Sequence, residues 1–384
     1  MFLTELSLSD FLSFGVFPTT VNLGPLNVFI GPNGSGKSNL IESIDLLRSL
    51  PRDLAAFSRR NGGISDMLHN GDPEAKPEIQ ASFQLVNGTQ LNYKMKMGAV
   101  QQRLEVLDER IERVPQPGES KSQLYFGFEN SRPVISVGNK MRKLQREDVS
   151  SDQSILAQRK DPESYPELTE LSEQLGRIAI YRDWTFGKSG PGRQPQKADL
   201  PNNFLLEDFS NLAVILNRLK LNLKVKSELL AEIHRFSGRF TDFNVSFSGN
   251  QVQLLLQDDS WSVPAHRLSD GTIRYLCLLA ILLDPIPPPL ICIEEPELGM
   301  HPDTIARLAK LMQSASQRTQ LIVTTHSDIL IDALSAAPES VVISELRDGR
   351  TMFWRLEKEK LKSYLEENGL GYLWLRGDLG GTIH

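Results

Sequence analysis

Apolar residues along this chain fall into short blocks of two kinds. Residues 26–30 (Leu-Asn-Val-Phe-Ile), 290–293 (Leu-Ile-Cys-Ile) and 321–323 (Leu-Ile-Val) are near-continuous runs of strand length. Strands buried on both faces read this way. Residues 39–47 (Asn-Leu-Ile-Glu-Ser-Ile-Asp-Leu-Leu) instead place apolar side chains at helical spacing. Residues 273–283 form an almost unbroken apolar run behind Ser269 and Asp270. Either polar residue can cap a buried helix there.

The middle of the chain has a different texture. Residues 78–86 and 91–97 flank Asn87-Gly88, a hairpin signal. Residues 101–113 alternate imperfectly, but Val and Ile recur, which favours a strand over a short helix. An antiparallel insertion is therefore expected over 76–145. Residues 146–262 are expected to be mainly helical, with helical patterning at 168–175 and 205–219 and a hairpin around Ser248-Gly249-Asn250. Residues 187–197 read as a mobile loop by composition. Near the end come a strand at 341–346, an Asp348-Gly349 turn, a second strand and a helix near 357–367. The boundaries so drawn are 1–75, 76–145, 146–262 and 263–384. No sustained heptads predict a long coiled coil, and no internal repeat is evident. The stretch after His326 is expected to be too short for a separate nuclease domain.

At 384 residues the chain has room for one large domain with insertions, or two to three domains. Its net charge of −6 excludes a global positive field that would draw it to nucleic acid or anionic membrane. Any DNA contact needs a local patch. Lys140, Arg142, Lys143 and Arg146 cluster, and Arg193 and Lys197 lie in the 187–197 loop, where phosphate contacts could form. Glu147, Asp148 and Asp152 are interleaved nearby, so a charge-mixed solvated face is the favoured reading. Cys277 and Cys292 sit in apolar runs without metal-like spacing, as buried thiols in a reducing cytoplasm would. Residues 1–10 show no basic leader, and the 273–283 run contains Arg274 and is too short to span a bilayer. A cytoplasmic location and no membrane association are expected.

Four motifs carry candidate chemistry. Gly31-Pro32-Asn33-Gly34-Ser35-Gly36-Lys37-Ser38 fits G-x-x-x-x-G-K-[ST], between a predicted strand and a predicted helix. Its glycines let backbone N–H groups turn inward onto phosphate oxygens, and the helix N-terminus faces the same anion. Lys37 would reach the terminal phosphates and the Ser38 hydroxyl would hold Mg²⁺. The second motif is Leu268-Ser269-Asp270-Gly271-Thr272, by itself a good helix start. The third is the apolar strand running into Glu294-Glu295-Pro296-Glu297. There one acid can enter a Mg²⁺ shell while its neighbour activates water; a turn capping the helix near Pro302 is the plainer alternative. The fourth is Leu321-Ile-Val-Thr-Thr-His326-Ser327-Asp328, where His326 is a catalytic candidate or a helix-start residue and Ser327 or Asp328 caps the next helix. Each gap between the last three has room for one helix and one strand. The sites are therefore expected on successive parallel strands of one sheet.

These motifs, in this order, resemble the ABC-type P-loop ATPases, and within them the SMC/RecF-like branch in its small stand-alone form without a long coiled coil. The resemblance is carried by residues 1–50 and 260–335. It implies an α/β fold, a P-loop NTPase of ABC type with a mixed central sheet, an antiparallel β-subdomain and a helical signature lobe. Residues 1–75 and 263–384 would be the two parts of the ATPase core. It implies ATP and Mg²⁺ as cofactors, with Gly31, Pro32, Asn33, Gly34, Ser35, Gly36, Lys37, Ser38 and Asn39 around the nucleotide. Ser38 and Glu294 would serve the metal. Glu295 would be the general base and His326 would contact the γ-phosphate and the water. Ser269 and Gly271 would contact ATP bound to a second subunit. A homodimer with two composite ATP sites follows, hydrolysing ATP to ADP and phosphate. DNA repair or maintenance and anti-phage defence are the roles it suggests, with double-stranded DNA and a separately encoded effector as partners. The alternative is a nucleotide-gated interaction module with little turnover. Two departures stand out: Glu294 occupies a position where many relatives have Asp, and the glutamine linking nucleotide to the helical lobe is not obvious, Gln153 and Gln158 being candidates.

Overall fold

The computed structural model describes residues 1–115, 122–129, 132–138 and 140–380. They form two units: Met1–Ile178 with Ala337–Ser363 and the tail from Arg376, and Ala179–Ala336 with Tyr364–Leu375.

The first unit contains an eight-stranded antiparallel sheet, in the order Thr19–Asn22, Leu3–Ser9, Glu78–Gln84, Gln90–Val100, Arg103–Arg113, Gln123–Glu129, Arg132–Val137, Lys140–Lys143. Alternation explains its formation. Ile79, Ala81, Phe83, Leu91, Tyr93 and Met95 are buried while their neighbours along each strand face outward. The turn at Asn87-Gly88 closes as its composition requires, with Gly88 at φ 86 and Leu85 N–H donating to Thr89 O. Residues 103–113 are a strand, as the recurring Val and Ile indicate. The four side chains of the edge strand Lys140–Lys143 are all exposed, and the three cations among them discourage pairing with another chain. The same unit holds the buried strand Leu26–Ile30, parallel to Val341–Arg347, which pairs antiparallel with Arg350–Arg355.

In the second unit Ala179–Tyr181, Leu290–Glu294 and Gln320–Thr324 run parallel. The helices Asp270–Leu282 and Pro302–Ala315 precede the second and third of these strands. A separate antiparallel sheet joins Phe240–Ser248, Gln251–Asp258, Gln196–Lys197 and Ser262–Pro264, beside the helices Leu212–Lys220 and Leu223–Ser237.

Three expectations need correction. The helix expected from residue 205 starts only at Leu212. Phe209 adopts φ 63, and the Asn211 side chain accepts from Leu206 N–H and donates to the carbonyls of Pro201 and Phe204, holding that stretch as a loop. The 187–197 segment is not a loose loop: it contains a short 3₁₀ turn and a strand, and Arg193 within it is 6% exposed. Finally, Ser269 does not follow a strand of the parallel set. The strand before it, Ser262–Pro264, pairs antiparallel with Gln251–Asp258.

Candidate functional site

The first group of candidate residues lies in the first unit. The strand Leu26–Ile30 is wholly buried and delivers the chain to Gly31. The helix Lys37–Ser49 then starts from Gly36, which has φ 96 and offers no side chain to cap the helix. A helix N-terminus without a side-chain cap is a place where an anion is favoured. Gly34 (φ 77) and Gly36 take left-handed backbone that glycine alone adopts without cost. Lys37 Nζ donates to the carbonyls of Gly31 (2.7 Å) and Pro32 (2.9 Å), drawing the loop into a curl. Asn33, Gly34 and Ser38 are exposed, and the buried Ser35 Oγ has no hydrogen-bond partner. Asn39 Nδ2 donates to Ser13 Oγ (2.7 Å).

Two residues that the sequence reading did not single out hold this loop from beneath. Ser344 Oγ and Thr351 Oγ1 donate to Ser35 O at 2.7 and 3.1 Å. They come from paired strands more than 300 residues away along the chain. The one local hint is a polar Ser344 inside an apolar run. The loop suits a triphosphate: Asn33, Gly34 and Ser38 are exposed, the helix start has no side-chain cap, Ser35 carries an unpartnered hydroxyl, and no carboxylate of the motif intrudes.

The second group lies in the second unit. Ser269 caps the helix Asp270–Leu282, its Oγ accepting from Thr272 N–H at 3.1 Å. Asp270 accepts from Gly187 N–H (3.0 Å) and from the Arg193 guanidinium, which also donates to Leu268 O. Those hydrogen bonds, Arg193 first, hold the Asp270 carboxyl below its ordinary range. Arg193 is therefore committed inside the fold and unsuited to the phosphate contact considered for it. Gly271 lies close to the chain: a Cβ there would sit 3.1 Å from Gly299 O. One turn on, Arg274 lies 4.9 Å from the ring centres of both Trp184 and Phe186. Burial lowers its pKa.

Glu294 closes its strand with Arg182 Nε 3.6 Å from Oε2, and its carbonyl accepts from Trp184 Nε1 (2.7 Å). Glu295 follows at φ 46, a strained conformation for a residue with a side chain. Three bonds hold it: its N–H donates to Thr324 O (3.0 Å), and its carbonyl accepts from Leu298 N–H (3.3 Å) and Arg274 (3.4 Å). Glu294 and Thr324 are in register on adjacent parallel strands, and just beyond them Glu295 and His326 approach each other. Glu295 Oε1 lies 3.6 Å from His326 Nε2, with the two side chains 35% and 38% exposed. Ser327, not Asp328, caps the following helix.

Gln153 and Gln158 are both spent locally. Gln153 bonds Leu54 N–H and Asp53, and Gln158 donates to the carbonyls of Gln153 and Ser154.

Comparison with known proteins gives a consistent picture. A family model described as "AAA domain, putative AbiEii toxin, Type IV TA system" matches residues 26–332. The chromosome partition protein Smc of Coxiella burnetii is 36% identical over 86 residues, which is 22% of this chain and 7% of that protein. Its counterpart in Methylococcus capsulatus is 40% identical over 87 residues, with the same shares. The matched stretch thus spans only 7% of the length of these relatives. An SmcHead bound to the C-winged helix domain of ScpA superposes with a TM-score of 0.61 at 15% identity, covering 94% of this chain and 99% of that one. The Smc head domain from Pyrococcus furiosus, with an extended coiled coil and bound to the C-terminal domain of ScpA, gives 0.57 at 14% identity, covering 95% and 98%. At such identities the likeness is one of fold.

Proposed function

This chain belongs to the AAA-domain family matched over residues 26–332 and is an ABC-type P-loop ATPase of the SMC-like branch, and we propose that it hydrolyses ATP between two copies of itself. The observation that carries hydrolysis is the 3.6 Å approach of Glu295 and His326 at the carboxyl ends of adjacent parallel strands. Residues from Gly31 to Asn39 bind the triphosphate. Glu295 takes a proton from the attacking water, and His326 orients that water and the γ-phosphate. Most of the acceleration then comes from positioning and charge placement. Ser38 and Glu294 would hold Mg²⁺, which would supply charge neutralisation for the phosphate oxygens. Ser269 and Gly271 serve the nucleotide of the second copy.

On this reading, residues 1–75 and 263–384 make up the ATPase core, 76–145 a β insertion and 146–262 the helical lobe. The buried Cys277 and Cys292 suit the cytoplasm, and among the described residues no helix is long and apolar enough to cross a membrane. Double-stranded DNA, in repair or in defence against foreign DNA, is the partner that kinship with chromosome partition proteins suggests. A second reading is a nucleotide-gated module that controls a separate effector with little turnover. It is favoured by solved relatives whose heads are bound to domains of another protein.

The test is ATP turnover by the wild type and Glu295→Gln, with and without double-stranded DNA. The variant is expected to bind nucleotide and lose about 10²–10⁴-fold in kcat. Undiminished turnover in Glu295→Gln would remove it from the base role. DNA-stimulated turnover supports the first reading; tight binding with negligible turnover in the wild type supports the second.

A further inference from the structure

We propose that Glu297 is a positioning residue for His326, an inference that rests on the ATPase reading above. The register between the strands ends at Glu294 and Thr324, and the bond from Glu295 N–H to Thr324 O is made just beyond it. Past that point the Glu297 side chain takes over the pairing. Its Oε1 accepts from Thr325 Oγ1 at 2.6 Å and from the backbone N–H of His326 at 3.0 Å. Thr325 Oγ1 in turn accepts from Ser327 N–H at 3.0 Å. One carboxylate oxygen therefore fixes all three residues between the strand Gln320–Thr324 and the next helix.

The burial pattern separates fixing groups from reacting ones. Glu297 is 8% exposed and Thr325 fully buried, whereas Glu295 and His326 each keep about a third of their side chains open. Glu297 Oε2 is buried and has no hydrogen-bond partner. A buried carboxylate with one oxygen idle is a poor packing element, since the unmet oxygen costs stability. What it supplies instead is one oxygen that accepts from two donors on the neighbouring segment, the Thr325 hydroxyl and the His326 N–H. Glu297 and the proposed base Glu295 share one turn. Glu297 thereby ties the segment carrying the base to the segment carrying the histidine and holds the 3.6 Å separation between them. Through His326, Glu297 acts on turnover and not on nucleotide binding.

The experiment is a double-mutant cycle in the full chain with Glu297→Ala, His326→Ala and the pair, reading kcat, ATP affinity and melting temperature. Glu297→Ala is expected to lower kcat about 10–100-fold, with ATP affinity within about twofold of wild type. The double variant is expected to be no slower than His326→Ala alone. Glu297→Gln, whose amide oxygen can accept the same two bonds, is expected to lose less than Glu297→Ala. Wild-type kcat in Glu297→Ala overturns the proposal, and so does a double variant whose loss is the product of the two single losses. If Glu297→Ala does not fold, Glu297→Gln and Glu297→Asp run through the same cycle and are read the same way. A wild type with no turnover above His326→Ala defeats the ATPase reading and this inference together. An active wild type with independent losses defeats this inference alone.

Discussion

Gly36 shows how much a single position can be asked to do. It sits at φ 96, and a Cβ there would lie 2.1 Å from Thr351 Oγ1, the hydroxyl that pins the loop. Gly34, at φ 77, would place a Cβ in open space. Both substitutions incur the left-handed backbone penalty of about 1–2 kcal/mol, but only the first also meets a wall. Gly36→Ala is therefore expected to lower the melting temperature more than Gly34→Ala and to weaken binding of a fluorescent ATP analogue about tenfold or more, a 1.4 kcal/mol effect. Equal effects of the two, measured by thermal shift and titration, would show that the approach of Thr351 is unimportant. Nothing near Gly36 in the chain announces Thr351. The glycine was legible because phosphate binding has a compact local pattern, and its support was not, because it arrives from a distant strand.

At the scale of elements, caps and buried pairs decide which predicted segments are firm. Ser269 both caps the helix Asp270–Leu282 and, on the proposed reading, contacts nucleotide in trans. The two roles separate chemically. Ser269→Ala is expected to cost about 1 kcal/mol in unfolding free energy along with turnover. Ser269→Asp keeps a good cap but sets a negative charge where the γ-phosphate is expected, so it should retain stability and lose turnover. A Ser269→Asp enzyme at full rate would exclude the trans contact.

The helix Leu223–Ser237 is tied to its neighbours by Glu232, whose buried carboxylate accepts from Arg307 through Nε (3.0 and 3.1 Å) and Nη2, and from Tyr275 at 3.1 Å. Burial pushes the Glu232 pKa up, but the Arg307 hydrogen bonds and charge outweigh it and leave the carboxyl below its ordinary range. Folding therefore favours the ionised form. That stabilisation is complete above the unfolded value of about 4.3 and is lost as pH falls through the lower folded value. Glu232→Gln is expected to cost about 2 kcal/mol at pH 7, with the gap from wild type narrowing below about pH 4.3 in urea unfolding. A gap that stays constant would mean the charge on Glu232 contributes nothing.

At the scale of the whole molecule, the composite-site reading makes association depend on nucleotide. Glu295→Gln with ATP and Mg²⁺ is expected to shift in light scattering from 43.1 kDa to about twice that mass, and adding Ser269→Asp should abolish the shift. A monomer under all conditions would leave the trans role of Ser269 without support. With a net charge of −6, DNA binding, if it stimulates turnover, must use a restricted surface and weaken steeply with salt.

What the sequence by itself determined was whatever rests on neighbours along the chain. This covers the buried strand, glycine turn and helix from Leu26 to Ser49, the Asn87-Gly88 hairpin, the helix starts at 269–270 and 327–328, and the two apolar strands running toward Glu294 and His326. Backbone propensity and hydrophobic period are local quantities, so a linear reading captures them. Only the tertiary structure decided where side chains override that period. Asn211 satisfies three loop backbone groups and delays a helix that the leucines alone suggest. Arg193 leaves solvent to hold Asp270, and Ser344 and Thr351 reach under the phosphate loop. Glu297 clasps the backbone beside His326. Each of these is a hydrogen bond whose partner is set by the fold and not by spacing, which is why composition and pattern could not show it.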